Sequence, residues 1–295
     1  MFEFAKSLGF TLVELMISLV LGLIIIAAAV QLLISGQRSL LFQSAVADVQ
    51  DNANIGINYI VADLHHTNLN LPNRKMLNNN VSGFVVKPKN YIEDASKVMA
   101  DAVYTEDSTG PSFVKKDGKG AGSDVLVIQY RPVVAKGYDC EGNRINSINE
   151  VIVQRYFLRK DINGQNDDLA LACDAGKYEN GIGTKITGLN GSGQIIMPRV
   201  DQFKILIGVL NGTSMAYMTP KQFAENTVGA RAVSIQISAL VRSVDNSGSN
   251  TQEKTDFKLF NESYSLERPK SMIGKFMRVP VEQMVVFRNA LGDDS

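Results

Sequence analysis

From Leu12 to Ile34 the chain is almost without polar side chains, yet it carries one acid, Glu14, near the start of that run. After Glu14 only Ser18, Gly22 and Gln31 interrupt the apolar residues. As a helix rising about 1.5 Å per residue, Leu12 to Leu33 spans about 33 Å, enough to cross the hydrocarbon layer of a bilayer. A single membrane-spanning helix is therefore the first expectation. A cleaved secretory signal would run from basic residues through a shorter apolar stretch to a small-residue cut site. Here the run is too long, and the small residue, Gly9, precedes it.

An acid inside a membrane helix costs roughly 2.5–3.5 kcal/mol on insertion scales. A plain anchor gains nothing from it. The charge becomes useful if a cation can be brought to it in the low-dielectric layer. Cleavage after Gly9 would supply one: Phe10 would acquire a free α-amine four residues before Glu14, at the start of the helix. That amine could meet its own Glu14 or the Glu14 of a neighbouring subunit.

Beyond Ile34 the chain turns polar without a helix breaker. Leu41, Ala45, Val49, Ala53, Ile57, Ile60 and Leu64 recur at steps of three or four, one face of a helix. Gln43, Asp48, Gln50, Asp51, Asn54 and Asp63 take the other faces. The spacing predicts a continuous helix from Phe10 to about His65, ending before an Asn-rich stretch and Pro72. Its second half is expected to pack on a folded domain. A coiled-coil stalk is the alternative, but no strict heptad is kept.

The remainder reads as β structure. Val125, Val127 and Gln129 alternate with Leu126, Ile128 and Tyr130. Val151, Val153 and Phe157 share a face, as do Phe203, Ile205, Ile207 and Val209. Val233, Ile235, Ile237, Ala239 and Val241 alternate with Ser234, Gln236, Ser238 and Arg242. Gly83 to Val86 and Val281 to Phe287 are weaker candidates. Residues 107–123, 160–168, 176–194 and 243–254 read as polar loops. One mostly antiparallel β domain laid on the helix accounts for this order. Among 295 residues, Lys and Arg total 30 and Asp and Glu total 30, a formal charge of zero. No basic tract suits phosphate contacts, so nucleic acid is not expected as a partner.

Gly9-Phe10-Thr11-Leu12-Val13-Glu14-Leu15 resembles the class III signal of type IV prepilins and pseudopilins. The resemblance implies a leader at 1–9 cut between Gly9 and Phe10 by prepilin peptidase, a membrane aspartyl protease. It implies N-methylation of Phe10 and a role for Glu14 in assembly register, pairing with a neighbour's N-terminus. It also implies an α+β fold, a long N-terminal pilin helix on a mostly antiparallel sheet domain. The membrane and assembly half is then 10–34, the amphipathic half 35–66 and the periplasmic domain 67–295. The leader departs from the pattern in carrying Glu3 as well as Lys6, and no proline precedes Pro72, whereas many major pilins have one midway along this helix.

The later order of features, Gly122 to Tyr130, Asp139-Cys140, Leu171-Ala172-Cys173, Arg231 to Ile237 and Val286-Phe287-Arg288-Asn289, is similar to PilW-type minor pilins, relatives of the J-type pseudopilin of type II secretion. That likeness implies a minor pilin at the tip of a Gram-negative type IV pilus, priming assembly. The implied partners are other minor pilins, the major pilin and a tip adhesin, with the inner membrane holding the subunit before assembly. A J-type pseudopilin is the alternative, and a membrane-anchored periplasmic enzyme a third reading with no motif behind it.

Cys140 and Cys173 could be free core thiols or one disulfide. The periplasmic location implied by the resemblance favours the disulfide. No catalytic, cofactor or metal site is expected. His65 and His66, about 100° apart on a helix, make a poor chelating pair and are expected at the helix end or in solvent. Gly212 to Ala216 lacks the final glycine of a nucleophile elbow. Asp161 to Asp168 has its glycine at position 4 rather than 6 of a calcium loop, so it reads as a hairpin turn. Gly118, Gly120 and Gly122 lead into a strand, not a helix, and read as a flexible loop rather than a phosphate cradle.

Overall fold

The computed structural model describes residues 9–92, 103–164, 167–179, 185–189, 191–226, 230–246 and 253–290. Helix α1 runs Leu12–Leu64 without a break. Thr11 and His65, expected just inside the helix, are its caps. Among the described residues thirteen strands follow, with one short α-helix, α2 (Pro220–Glu225), between β9 and β10.

Every strand pairing is antiparallel. The first sheet has the order β1-β4-β5-β6-β7, with β1 Glu106–Gly110, β4 Ser123–Tyr130, β5 Glu150–Lys160, β6 Leu169–Glu179 and β7 Gln194–Pro198. The second has the order β13-β10-β8-β9, with β8 Val200–Asn211, β9 Ser214–Met218, β10 Arg231–Arg242 and β13 Arg278–Val286. The third joins β11 (Asp256–Leu259), β12 (Glu262–Leu266), β2 (Val114–Lys116) and β3 (Lys119–Gly120).

The main core lies between the helix and the first two sheets. Val49, Ala53, Ile57, Ile60 and Leu64 of α1 meet Leu126, Ile128, Tyr156 and Leu171 of the first sheet. From the second come Phe203, Ile205, Ile207, Ile235, Ile237 and Val285, so β8 and β10 present the faces their alternation predicts. The first sheet is covered on its other side as well: Val127, Val151, Val153 and Tyr178 pack with Leu71, Val85, Tyr91 and Ile186. The third sheet covers Leu240, on the far side of β10, with Val114, Phe257, Leu259 and Tyr264. Gly56 sets the helix–sheet distance. A Cβ there would lie 2.5–2.9 Å from three side-chain atoms of Met197 in β7.

Several expectations need correction. Leu41 shares the inward period but is exposed, because the domain first buries the helix at Ala45. Residues 83–86 form no strand; Phe84 makes a single bridge to Ile128. The stretch 107–123 holds β1, β2 and β3, with Gly120 inside β3, so it is not a flexible loop. Residues 176–179 end β6 and Gln194 begins β7, and the 180–184 and 190 portion of that predicted loop lies outside the described residues, as does 247–252 of the 243–254 loop.

At one end of the sheets, buried ions hold the elements in register. Arg242 Nε donates to Asp201 Oδ1 at 3.3 Å, and Arg278 Nε to Asp201 Oδ2 at 2.6 Å. Arg242 also pairs with Asp168, and Arg278 Nη1 with Glu253 Oε1 at 2.5 Å. Losing one partner of such a set strands a buried charge, at a cost of about 3–5 kcal/mol.

Candidate functional site

Thr11 stops the helix from extending toward Gly9. Its backbone is extended (φ −79°, ψ 151°), and its Oγ1 accepts the Glu14 N–H at 3.3 Å. Glu14 answers: its Oε2 accepts the Thr11 N–H at 3.0 Å and the Thr11 hydroxyl at 3.1 Å. This reciprocal capping box satisfies backbone donors that the first helical turn leaves free. Ser18 Oγ donates to the Glu14 carbonyl at 2.7 Å.

The carboxylate that the sequence marks as anomalous thus points back along the helix toward the Gly9–Phe10 bond. It stops one residue short: it holds Thr11, and among the described residues it makes no bond to Phe10. Phe10 itself is exposed. Residues 1–8 of the expected leader lie outside the described residues.

Between Leu12 and Ile34, sixteen large apolar side chains are exposed. At about 1.5 kcal/mol each, keeping them in water would cost on the order of 24 kcal/mol. That surface suits a bilayer or other apolar helices. Through Ser44 no helix residue is buried, so about 50 Å of helix projects from the domain.

The packed half is fastened by polar contacts as well as by the core. Asn52 Nδ2 donates to the Pro198 carbonyl of β7 at 2.6 Å, and Tyr59 Oη to the Cys140 carbonyl at 3.2 Å. Tyr156 Oη of β5 donates to Asp63 Oδ2 at 2.5 Å. Burial raises the Asp63 carboxyl above its ordinary range. The Tyr156 hydrogen bond and His66 act against that rise, and Asp139 adds to it. Burial, then the Asp63 charge, pushes the Tyr156 hydroxyl far up.

Cys140 and Cys173 are joined as a disulfide, 33 residues apart. It ties the segment between β4 and β5 to β6, the same segment that Tyr59 grips. In the chain-entropy account a loop of this size contributes roughly 3–4 kcal/mol.

The remaining candidates fall where structure, not chemistry, uses them. His65 is the C-cap of α1, and His66 lies against Tyr130 with ring centroids 5.3 Å apart. Asp161 to Asp168 closes the β5–β6 hairpin, with Asp161 N donating to Asp168 O at 2.8 Å; Gln165 and Asn166 lie outside the described residues. Gly212, at φ +60°, turns the β8–β9 hairpin. Among the described residues no group of three or more His, Cys, Asp or Glu is placed to hold a metal ion. Sequence reasoning missed the capping box, although its signature was present: Thr, then Glu three residues on, ahead of an apolar run. It also missed the buried ions, which are scattered from Asp168 to Arg278.

One comparison with known proteins falls on this end of the chain. Residues 5–30 match the family model described as the prokaryotic N-terminal methylation motif. No curated protein matches the chain. Among solved structures, the chain is similar to a type IV-like pilin from Thermus thermophilus, at 13% identity and a TM-score of 0.38, covering 82% of this chain and 96% of that one.

Proposed function

A prepilin-type methylation motif opens the long helix of this chain, and from it we propose that the protein is a type IV pilin-like precursor acting as a minor pilin: an assembly component, not an enzyme. Prepilin peptidase cuts between Gly9 and Phe10 and methylates the Phe10 amine. The domain waits in the periplasm while residues 10–34 hold it in the inner membrane. Residues 10–34 then leave the bilayer by packing against the equivalent helices of other minor pilins and the major pilin, at or near the tip and beside an adhesin.

The observation that carries the proposal is the projecting half of α1. It is about 50 Å of helix with no buried residue and one carboxylate that caps Thr11, next to the residue to be freed by the cut. Cleavage turns the Phe10 amide into a cation beside that carboxylate. Glu14 then has a choice of partners, its own cap or a neighbour's amine, and a mispaired helix leaves a charge buried without compensation.

Mass spectrometry of pili sheared from the native host tests this. The expected mass begins at methylated Phe10. Gly9→Val should abolish processing and leave the full-length mass. Glu14→Ala should still be cut but be depleted from sheared pili; normal incorporation of that variant would remove Glu14 from the mechanism.

A further inference from the structure

Where α1 ends, the chain builds a cationic pocket that the pilin reading does not use. It is a cavity of about 390 Å3 lined by Asn68, Asn70, Arg74, Arg288 and Asn289 together with two leucines, and no acid lines it among the described residues. Its frame is rigid and specific. Asn68 and Asn70 both hold left-handed backbone (φ +65° and +53°), which asparagine tolerates better than most residues. The Asn68 side chain is buried and holds the frame. Its Nδ2 donates to Asn73 O at 3.0 Å, Arg74 O at 3.4 Å and Asn289 O at 3.2 Å, and its Oδ1 accepts Gly83 N at 2.8 Å.

The arginines are not engaged in holding this frame. The carbonyls at the end of α1 are taken by Asn289, whose Nδ2 donates to His65 O and Thr67 O at 3.0 Å each. Both arginines are exposed, and among the described residues neither Arg74 nor Arg288 has an ion-pair partner, so their guanidinium groups are accessible from solvent. Two free guanidinium forks on a fixed frame suit the paired oxygens of an oxyanion.

We propose that Arg74 and Arg288 form a binding pocket for one oxyanion group, a carboxylate or a phosphate. The site stands on its own and would survive failure of the pilin assignment.

The experiment is a titration of the full chain, in non-ionic detergent, with inorganic phosphate at constant ionic strength. Backbone amide shifts of residues 68–74 and 288–289 are followed by NMR. Saturable shifts confined to these residues are expected, with binding weakened about tenfold or more in Arg74→Gln/Arg288→Gln, the loss of two charge-assisted contacts. Lys119→Gln/Lys258→Gln, which removes two distant exposed charges, should bind as the parent does. Non-saturating shifts, or equal weakening in both double variants, would overturn the proposal in favour of general charge screening. Arg288→Lys keeps the charge but not the fork, and is expected to bind more weakly than the parent. An Asp293→Asn/Asp294→Asn variant separates sources of the group. Tighter phosphate binding supports the site and identifies the chain's own carboxylates as its competitor. Unchanged binding supports the site with an anion from outside the chain.

Discussion

The two halves of α1 share one helix and almost nothing else. From Leu12 to Ser44 none of its residues is buried; from Ala45 to Leu64 one face is sealed against two sheets. The first half is apolar all round as far as Ile34, the second chiefly on one stripe. The difference teaches that backbone continuity and packing are separate properties. The helix forms throughout because its sequence lacks breakers, but only its second half belongs to the domain's folding unit. The first half takes its stabilisation from whatever apolar medium surrounds it.

The sharpest way to break that contrast is a matched pair of truncations. Ile60 is fully buried in the main core, and Ile60→Ala should destabilise the domain by about 2–5 kcal/mol. Ile25 is exposed, and Ile25→Ala should leave the domain's denaturant midpoint where it was. Equal losses would mean the two halves unfold as one unit.

Glycine substitutions should separate the halves by sign. Gly56→Ala gains up to about 1 kcal/mol of helix propensity but forces the new methyl into Met197, an overpacking cost of about 1–3 kcal/mol. A net loss in thermal stability is expected. Gly36→Ala meets nothing within 4 Å and should be neutral or slightly stabilising. The comparison is sharpened if circular dichroism shows helicity rising in Gly36→Ala while the domain transition stays fixed.

The smallest expected effect is a pH dependence confined to the packed half. Burial holds the Asp63 carboxyl above the ordinary range. Between the unfolded and folded pKa values the folded protein keeps a proton that the unfolded chain has lost. Its stability contribution is therefore best below the unfolded value, about 3.9, and declines as pH rises through the folded one. Asp63→Asn should flatten that decline in denaturation curves recorded between about pH 3 and 7. A variant curve parallel to the parent's would place the pH dependence elsewhere.

The helix was legible because its apolar residues keep one period for a long distance. Strands β4, β8 and β10 were legible for the same reason at period two. Strand β6 was not. Its residues Leu169–Tyr178 are buried on nearly every position, so Ala170, Ala172 and Ala175 give no alternation to read. Strands β1 to β3 failed in the opposite way: short and mostly polar, they look like the loop they were read as, and the short strands β11 and β12 gave no reading at all. Leu41 was misplaced because a period reports a face, not how far a domain reaches along it. The proposed assembly residues Gly9, Phe10 and Glu14 lie in one short stretch of sequence, so they could be named directly. The pocket at Arg74 and Arg288 joins residues more than 200 apart in the chain, and only the fold brings them together.

The packed segment of α1 behaves as the clamped end of a cantilever whose free arm is about 50 Å long. Rocking of one degree at the clamp moves the Glu14 end sideways by about 0.9 Å at that length. The aim of the far carboxylate is thus set by the stiffness of a few distant fastenings: Gly56 against Met197, Asn52 on Pro198, and Tyr59 on a disulfide-tied segment. A substitution that loosens any of them would blur the position of the tip without touching it.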